Sequence, residues 1–337
     1  MNTATCKPSL VSMLSLFLIL SSLCVVGCSS GLQAHKILND PQSTLPKYAF
    51  IQSVPVIEQA EHFCGPASLA MVVKWAGGNA SVQQISEMVY LPKKSGTLHE
   101  DLVTASRRLG YLAYIIPPNM QSLLSEVGAG HPVIALNNLS LNIYPLWHFT
   151  VVTGYDLKKD QIFLNGGLVG SEDWSLETFE HTWSRSSYWA VAIVPPGTVP
   201  VTADVDGYMR AANGLERVGK LAEAEKAYRT AVVSFPGSEI PAVGLANIFM
   251  NQKKLKDAQI VLDKVNREHP NSVIVMNNYA ELLRRQGRWQ KALNFARKAS
   301  SIDSPFKDIA KRTLEEILAQ KKVAGESLAQ AGTLAGK

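Results

Sequence analysis

Four cysteines occur in the 337-residue chain, and Cys6, Cys24 and Cys28 all lie near its start. Cys64 stands apart from them, in a loop that runs through Gly65 and Pro66 into an apolar helical pattern. An unpaired thiol builds no disulfide core. At a helix start, unsatisfied backbone N–H groups and the helix dipole favour a thiolate, which makes Cys64 a candidate nucleophile. Gly65 would let a substrate backbone approach the sulfur. The plain alternative is a packed structural cysteine.

A thiolate catalyst needs a base, and His148 opens the β-rich run His148-Phe-Thr-Val-Val-Thr153. The strand that returns after Asp156–Asp160 ends at Asn165. A hairpin centred near Leu157 would bring His148 and Asn165 nearly opposite each other. The Asn165 oxygen would then accept from imidazole Nδ1–H and aim Nε2 at the thiol. Gln59, five residues before Cys64, could pair its amide N–H with the Cys64 backbone N–H as an oxyanion hole. Glu58 and Glu61 cannot donate when ionised, although Gln59 could equally be a plain surface residue.

The other histidines offer less. His62 is too close to Cys64 in sequence for good geometry, His99 belongs to a helix start, and His131 precedes Pro132 at a turn. His35, His181 and His269 have no partner residues around them. No Cys-x-x-Cys or His-Glu-x-x-His spacing occurs, so no metal site is expected. A phosphate-cradling Gly-x-x-x-x-Gly-Lys-Ser/Thr loop is missing too, and no cofactor is implied. The net charge of +5 is spread without a dense basic run interleaved with aromatics, which argues against nucleic-acid binding.

At this length roughly two domains are expected. Residues 1–27 read as an export signal: Lys7, then an apolar stretch from Leu10 to Gly27. Val25-Val26-Gly27-Cys28 is the small-residue box of a lipoprotein precursor, so Cys28 is the expected lipidation site, anchoring the chain to a membrane. Ser29 after it fits lipoproteins sorted to the outer membrane, facing the periplasm. Residues 28–50 are polar and read as a tether.

Residues 51–197 mix the two periods. A buried helix of about 12 residues is predicted from Pro66 and the apolar set Leu69, Val72, Val73 and Ala76, ending at Gly77-Gly78. Ser81 starts a second helix, and Thr97-Leu-His-Glu100 looks like a capping box opening a third. A fourth spans 122–128. Short β-rich segments follow at 132–136, 148–153, 161–164 and 188–194. Helices first and an antiparallel sheet afterwards define an α+β domain.

Beyond Pro195-Pro196-Gly197 and Pro200 the chain is all helix, with prolines recurring at 236, 270 and 305. Small and aromatic residues recur with them: Gly219, Ala224 and Tyr228 early, then Gly287, Trp289 and Ala292. Residues 204–322 therefore resemble an all-α array of tetratricopeptide repeats closed by a capping helix over 306–322. The tail, 323–337, is rich in Ala and Gly and is expected to be disordered.

The block Cys64-Gly65-Pro66-Ala67-Ser68-Leu69-Ala70-Met71, with Gly130-His-Pro132 and Trp147-His148-Phe149 through Gly154-Tyr155-Asp156, is similar to the papain-like cysteine peptidases that process bacteriocin leaders. The resemblance covers about residues 51–195, in the stand-alone lipoprotein form with C-terminal tetratricopeptide repeats. It implies Cys64 as nucleophile, His148 as base and Gln59 in the oxyanion hole. Many relatives carry Asp-Pro where this chain has Asn165-Gly166, and exporter relatives have an acidic residue where Phe63 stands. Double-glycine specificity is therefore not carried over. The implied function is a cysteine peptidase acting on a peptide or protein, with the repeats recruiting substrate or partner. Two alternatives stand beside it: a catalytically silent binding scaffold, and an acyltransferase using the same thioester.

Overall fold

The computed structural model describes residues 32–58, 62–94, 96–167 and 170–335. Cys28 and Gln59 lie outside these residues. Two packed parts follow one another, an antiparallel sheet with helices and then a run of helices.

The first part begins with α1 (Leu32–Asn39), β1 (Tyr48–Phe50), α2 (Cys64–Trp75) and α3 (Val82–Val89). Next come β2 (Tyr90–Leu91), β3 (Gly96–Thr97), α4 (His99–Arg108), β4 (Leu112–Ile115) and α5 (Met120–Gly128). The remainder is β5 (Val133–Asn138), β6 (Trp147–Asp156), β7 (Gln161–Gly167), β8 (Gly170–Trp174), α6 (Leu176–Ser184) and β9 (Ala190–Val194). The main sheet runs β4-β9-β5-β6-β7-β8, with β1 added to β6, and all pairs are antiparallel. The predicted α+β class holds. β6 is central because Phe149, Val151, Val152 and Tyr155 are all buried, so it can support neighbours on both edges.

Three local readings change. Residues 32–50 do not hang as a tether: α1 and β1 pack onto the domain and bury Ala34, Ile37 and Leu45. Their polar composition concealed an i, i+3 apolar pair that needs only one face. Thr97 caps nothing, since α4 takes Leu98 as its N-cap with no side-chain bond, and Thr97 sits in β3 instead. A capping box does occur at Ser81, whose hydroxyl accepts from Gln84 N–H while Gln84 reaches back.

The second part pairs α7 (Val205–Arg217) with α8 (Leu221–Ser234), α9 (Ile240–Asn251) with α10 (Leu255–Glu268), and α11 (Val273–Arg285) with α12 (Trp289–Ser301). The last helix, α13 (Lys307–Ala335), runs well past Lys322 into residues expected to be disordered. Ala and Leu make up six of its thirteen residues, 323–335, and both are strong helix formers. Among the described residues no helix is long and apolar enough to cross a membrane.

Buried Glu126 fastens the two parts together. Its Oε1 accepts from the Thr202 backbone N–H at 2.7 Å and from the Thr202 hydroxyl at 2.6 Å, while Oε2 lies 2.7 Å from His131 Nδ1. Tyr114 donates to the Thr202 carbonyl at 2.8 Å and packs on Gly207, where a Cβ would meet its ring at 2.8 Å.

Each repeat turns between its two helices through a left-handed residue. Gly219 and Gly287 do so at φ +80 and +71. Lys253 takes the same place in the middle repeat at φ 61, where its Cβ crowds the following carbonyl. Replacing it, Lys253→Gly, is expected to raise the unfolding free energy by about 0.5–1 kcal/mol. Urea denaturation at constant m-value checks this.

Candidate active site

Cys64 is the first residue of α2 and the free cysteine among the described residues. Its N-cap, Phe63, makes no side-chain capping bond. The caps of α3, α5 and α6 (Ser81, Asn119 and Ser175) all accept from a helix N–H. At α2 those first N–H groups are left to the sulfur. Phe63 instead stacks on Tyr90, with ring centroids 5.3 Å apart and planes at 6°, which fixes the entry to the helix. Behind the sulfur, a Cβ on Gly65 would come within 2.9 Å of Thr97 Cβ, so only glycine fits there without displacing Thr97.

The base is brought in by β6. Ser68, one turn after Cys64 on the same helix face, donates to the Phe149 carbonyl at 3.3 Å and ties α2 to the strand that carries His148. Cys64 and His148 lie close enough to act on each other's titration, the imidazole lowering the thiol and the thiolate raising the imidazole. His148 Nε2 lies 2.6 Å from the Gly166 carbonyl and donates to it, which leaves Nδ1 for the sulfur. Gly166 reaches this position at φ +104, beside a register irregularity between Asn165 and Gly167.

This corrects the expected role of Asn165. The β6–β7 register pairs Asn165 with Val151, not His148, because the hairpin closes at Asp156 with Gln161 and is centred between Lys158 and Lys159, beyond the expected Leu157. The bulge between Val152 and Gly154 takes back a single residue of that offset. Asn137 on β5 is the residue directly opposite His148. The Asn165 oxygen accepts from Ser171 Oγ at 3.0 Å and its amide points to the Val54 carbonyl at 3.5 Å. The ring tautomer is also reversed, with a backbone carbonyl taking the orienting place expected of the amide. Gln59 lies outside the described residues, so the oxyanion hole stays a sequence expectation.

The electrostatics favour an ion pair. Burial pushes the Cys64 thiol up, but the His148 hydrogen bond, the Phe149 backbone N–H, the imidazolium charge and the Gly65 N–H together hold it below its ordinary value. Burial pulls His148 down, yet the bond to Cys64, the thiolate charge, the Gly166 carbonyl and Glu172 raise it overall. Glu172 on β8 is a contributor that sequence reasoning missed. It lies far along the chain, and only the β7–β8 ladder brings its charge near. Elsewhere among the described residues, no cluster of three His, Cys, Asp or Glu side chains could hold a metal.

Beside the pair opens a cleft of about 650 Å³, lined by Thr97, Ile115, Leu136, Trp147, Tyr188 and Trp189 among others. Thr97 touches Gly65, Trp147 precedes His148, and Trp189 packs edge-on against Phe149 at 6.0 Å. The cleft therefore adjoins the pair through these neighbours, although Cys64 and His148 do not themselves line it. Its apolar walls suit the side chains of a bound peptide better than a charged small molecule.

A thiol at an uncapped helix start, paired with an imidazole from the adjoining antiparallel sheet, defines a papain-like cysteine peptidase fold. Residues 51–191 match the model of the Peptidase_C39 like family. Among solved structures, the chain is similar to the peptidase domain of Streptococcus ComA, at 26% identity over 42% of this chain and 98% of that one, with a TM-score of 0.36. A putative C39-like peptidase from Bacillus anthracis aligns at 20% identity over 44% and 97%, with a TM-score of 0.38. A tetratricopeptide repeat protein from Parabacteroides merdae aligns at 21% identity over 35% and 47%, with a TM-score of 0.29. No curated protein matches the chain.

With Cys64 lowered and His148 raised, alkylation of Cys64 by iodoacetamide should persist below the ordinary thiol range. Substituting His148→Ala removes the imidazole and leaves only the Phe149 and Gly65 backbone N–H groups to oppose burial, so the midpoint of the alkylation–pH curve should rise. The change Glu172→Gln takes a negative charge away from the imidazolium and should lower the His148 pKa. The alkaline limb of any activity profile then moves to lower pH. NMR titration of the His148 ring checks the direction.

Proposed function

We propose that this chain is a membrane-anchored cysteine peptidase, lipidated at Cys28 in the bacterial cell envelope, that cleaves a peptide or protein held in the apolar cleft. The observation that carries the reading is the Cys64–His148 pair at the uncapped N-terminus of α2, beside that cleft. The thiolate adds to a peptide carbonyl without first losing a proton. The imidazolium gives its proton to the departing amine, which leaves an acyl-thioester on Cys64. The neutral ring then takes a proton from water, hydroxide adds to the thioester, and the thiolate leaves with the acid product. The Gly166 carbonyl keeps Nε2 protonated and the ring in plane throughout. That role needs a backbone oxygen, not a side chain.

The repeats supply a recruiting surface in this reading. Their first helices, α7, α9 and α11, line a groove of about 620 Å³ that presents Asn213, Asn247, Arg210 and Ile240. Asn213 and Asn247 occupy equivalent positions, one repeat of 34 residues apart, and could hold successive stretches of an extended backbone.

Cys64→Ala should abolish hydrolysis while leaving the fold and substrate binding intact, which makes it a trap for mass spectrometry. Retained hydrolysis would rule the mechanism out, and an inert Cys64 in the unmodified chain would favour a silent scaffold. Product analysis with an added amine separates hydrolysis from acyl transfer. His148→Ala should cost roughly 10²–10⁴ in kcat. Asn165→Ala should stay within about tenfold of the parent, far from the roughly 10⁴ that loss of a triad orienter costs.

A further inference from the structure

The loop between β5 and β6 exposes an apolar surface beside the cleft. Leu141, Ile143, Tyr144, Leu146 and Trp147 are 62, 76, 77, 59 and 48% exposed. No Asp, Glu, Lys or Arg occurs anywhere from Asn137 to Trp147. The loop is held firmly at its base. Asn138 Oδ1 accepts from Ser140 N–H and Leu146 N–H at 3.1 and 3.0 Å, and Arg185 donates to the carbonyls of Asn138 and Ser140, both at 3.0 Å. Leu139 N–H meets the Leu146 carbonyl at 2.9 Å, and Tyr144 N–H meets the Leu141 carbonyl at 3.1 Å. A braced loop that offers five large aliphatic and aromatic side chains to water, with Asn142 as the one exposed polar side chain from Leu141 to Trp147, marks a binding surface.

The chain's entry into the domain lies on the same rim. The first N–H groups of α1, at Gln33 and Ala34, bond to Glu180 at 3.3 and 2.7 Å, and Gln33 Oε1 accepts from Met120 N–H at 2.9 Å. Tyr188 donates to the same Glu180 at 3.3 Å, and it lines the cleft together with Arg185 and Trp147. Cys28 precedes Leu32 by four residues, which span at most about 14 Å when extended. An acyl chain on Cys28 therefore holds this rim close to the bilayer and leaves no room for a long tether.

We propose that the Leu141–Trp147 loop seats in the bilayer interface, so that the cleft to Cys64 opens along the membrane surface and takes polypeptide segments lying there. The inference rests on the reading of Cys28 as the lipid anchor. Its composition fits: Tyr144 and Trp147 are the side chains that favour the headgroup level, while Leu141, Ile143 and Leu146 reach the acyl boundary. A water-soluble protein partner would not require the anchor and the loop to share one rim.

The test uses a chain begun at Ser29, which keeps every described element, since these start at Leu32. It is mixed with vesicles of phosphatidylethanolamine and phosphatidylglycerol and sedimented. Binding is expected, and the double variant Leu141→Asp with Ile143→Asp should weaken it about tenfold or more. That variant should keep the circular dichroism and the Cys64 alkylation rate of the parent, since neither residue lines the cleft. Failure of the parent to bind, or equal binding by the variant, would overturn the proposal. It would also fall if the variant raised KM for a soluble peptide while vesicle binding was unaltered, because the loop would then be a protein-docking surface. The anchor is read separately, from the mass of the N-terminal peptide of the full chain expressed in bacteria. An unacylated Cys28 would remove the anchor reading and leave the vesicle result to stand by itself.

Discussion

The structure depends on one contact, between the start of α2 and the start of β6. A helix N-terminus offers partial positive charge and unsatisfied donors, and an imidazole held by a carbonyl offers a full one. Desolvation opposes the thiolate at this mostly buried sulfur, and these favourable interactions together outweigh it, holding the thiol below its ordinary value. Ser68 on Phe149, Phe63 on Tyr90 and Thr97 against Gly65 keep the two elements in place. None of these residues touches the proton, yet all determine whether it can move.

The remaining architecture builds outward from that contact. The central strand β6 carries His148 at its open end and pairs with β5, β7 and β1 farther along, so the base stands on the most buried strand of the sheet. Rigidity there is useful, since a shift of an ångström at a catalytic group costs rate. At the far side Glu126 holds Thr202 and with it the start of the repeats, so the helical array is fastened to the domain. Near the cleft, Glu180 does the same for α1. Two buried carboxyl groups thus join three parts of the chain through hydrogen bonds to backbone donors.

Much of this was legible in the residues. Cys64 and the apolar set after Pro66 lie within one helix, and local spacing finds such patterns because their partners are three or four residues away. The repeats were visible for the same reason: each packs mainly on its neighbours. What failed was longer in range. The His148–Asn165 pairing assumed a hairpin centred near Leu157, but the turn closes Asp156 on Gln161, and a centre shifted along the chain leaves Asn165 opposite Val151. Gly166 was passed over because a backbone carbonyl leaves no mark in side-chain chemistry. The segment 32–50 looked like a tether because two buried side chains in a polar run form no period.

By itself, then, the sequence singled out Cys64 and His148 as a candidate pair and determined the order of the α+β part and the helical repeats. Those follow from residue type and local period. Only the tertiary structure decided which nitrogen of His148 faces the sulfur, what holds the ring, and which charged residue lies near it. A side chain's neighbours across a sheet depend on register, and register is a property of every strand at once. The exposure of five apolar side chains between Leu141 and Trp147 belongs to the same class. Hydrophobicity is written in the chain, but whether a surface covers it is settled only when all the elements have packed.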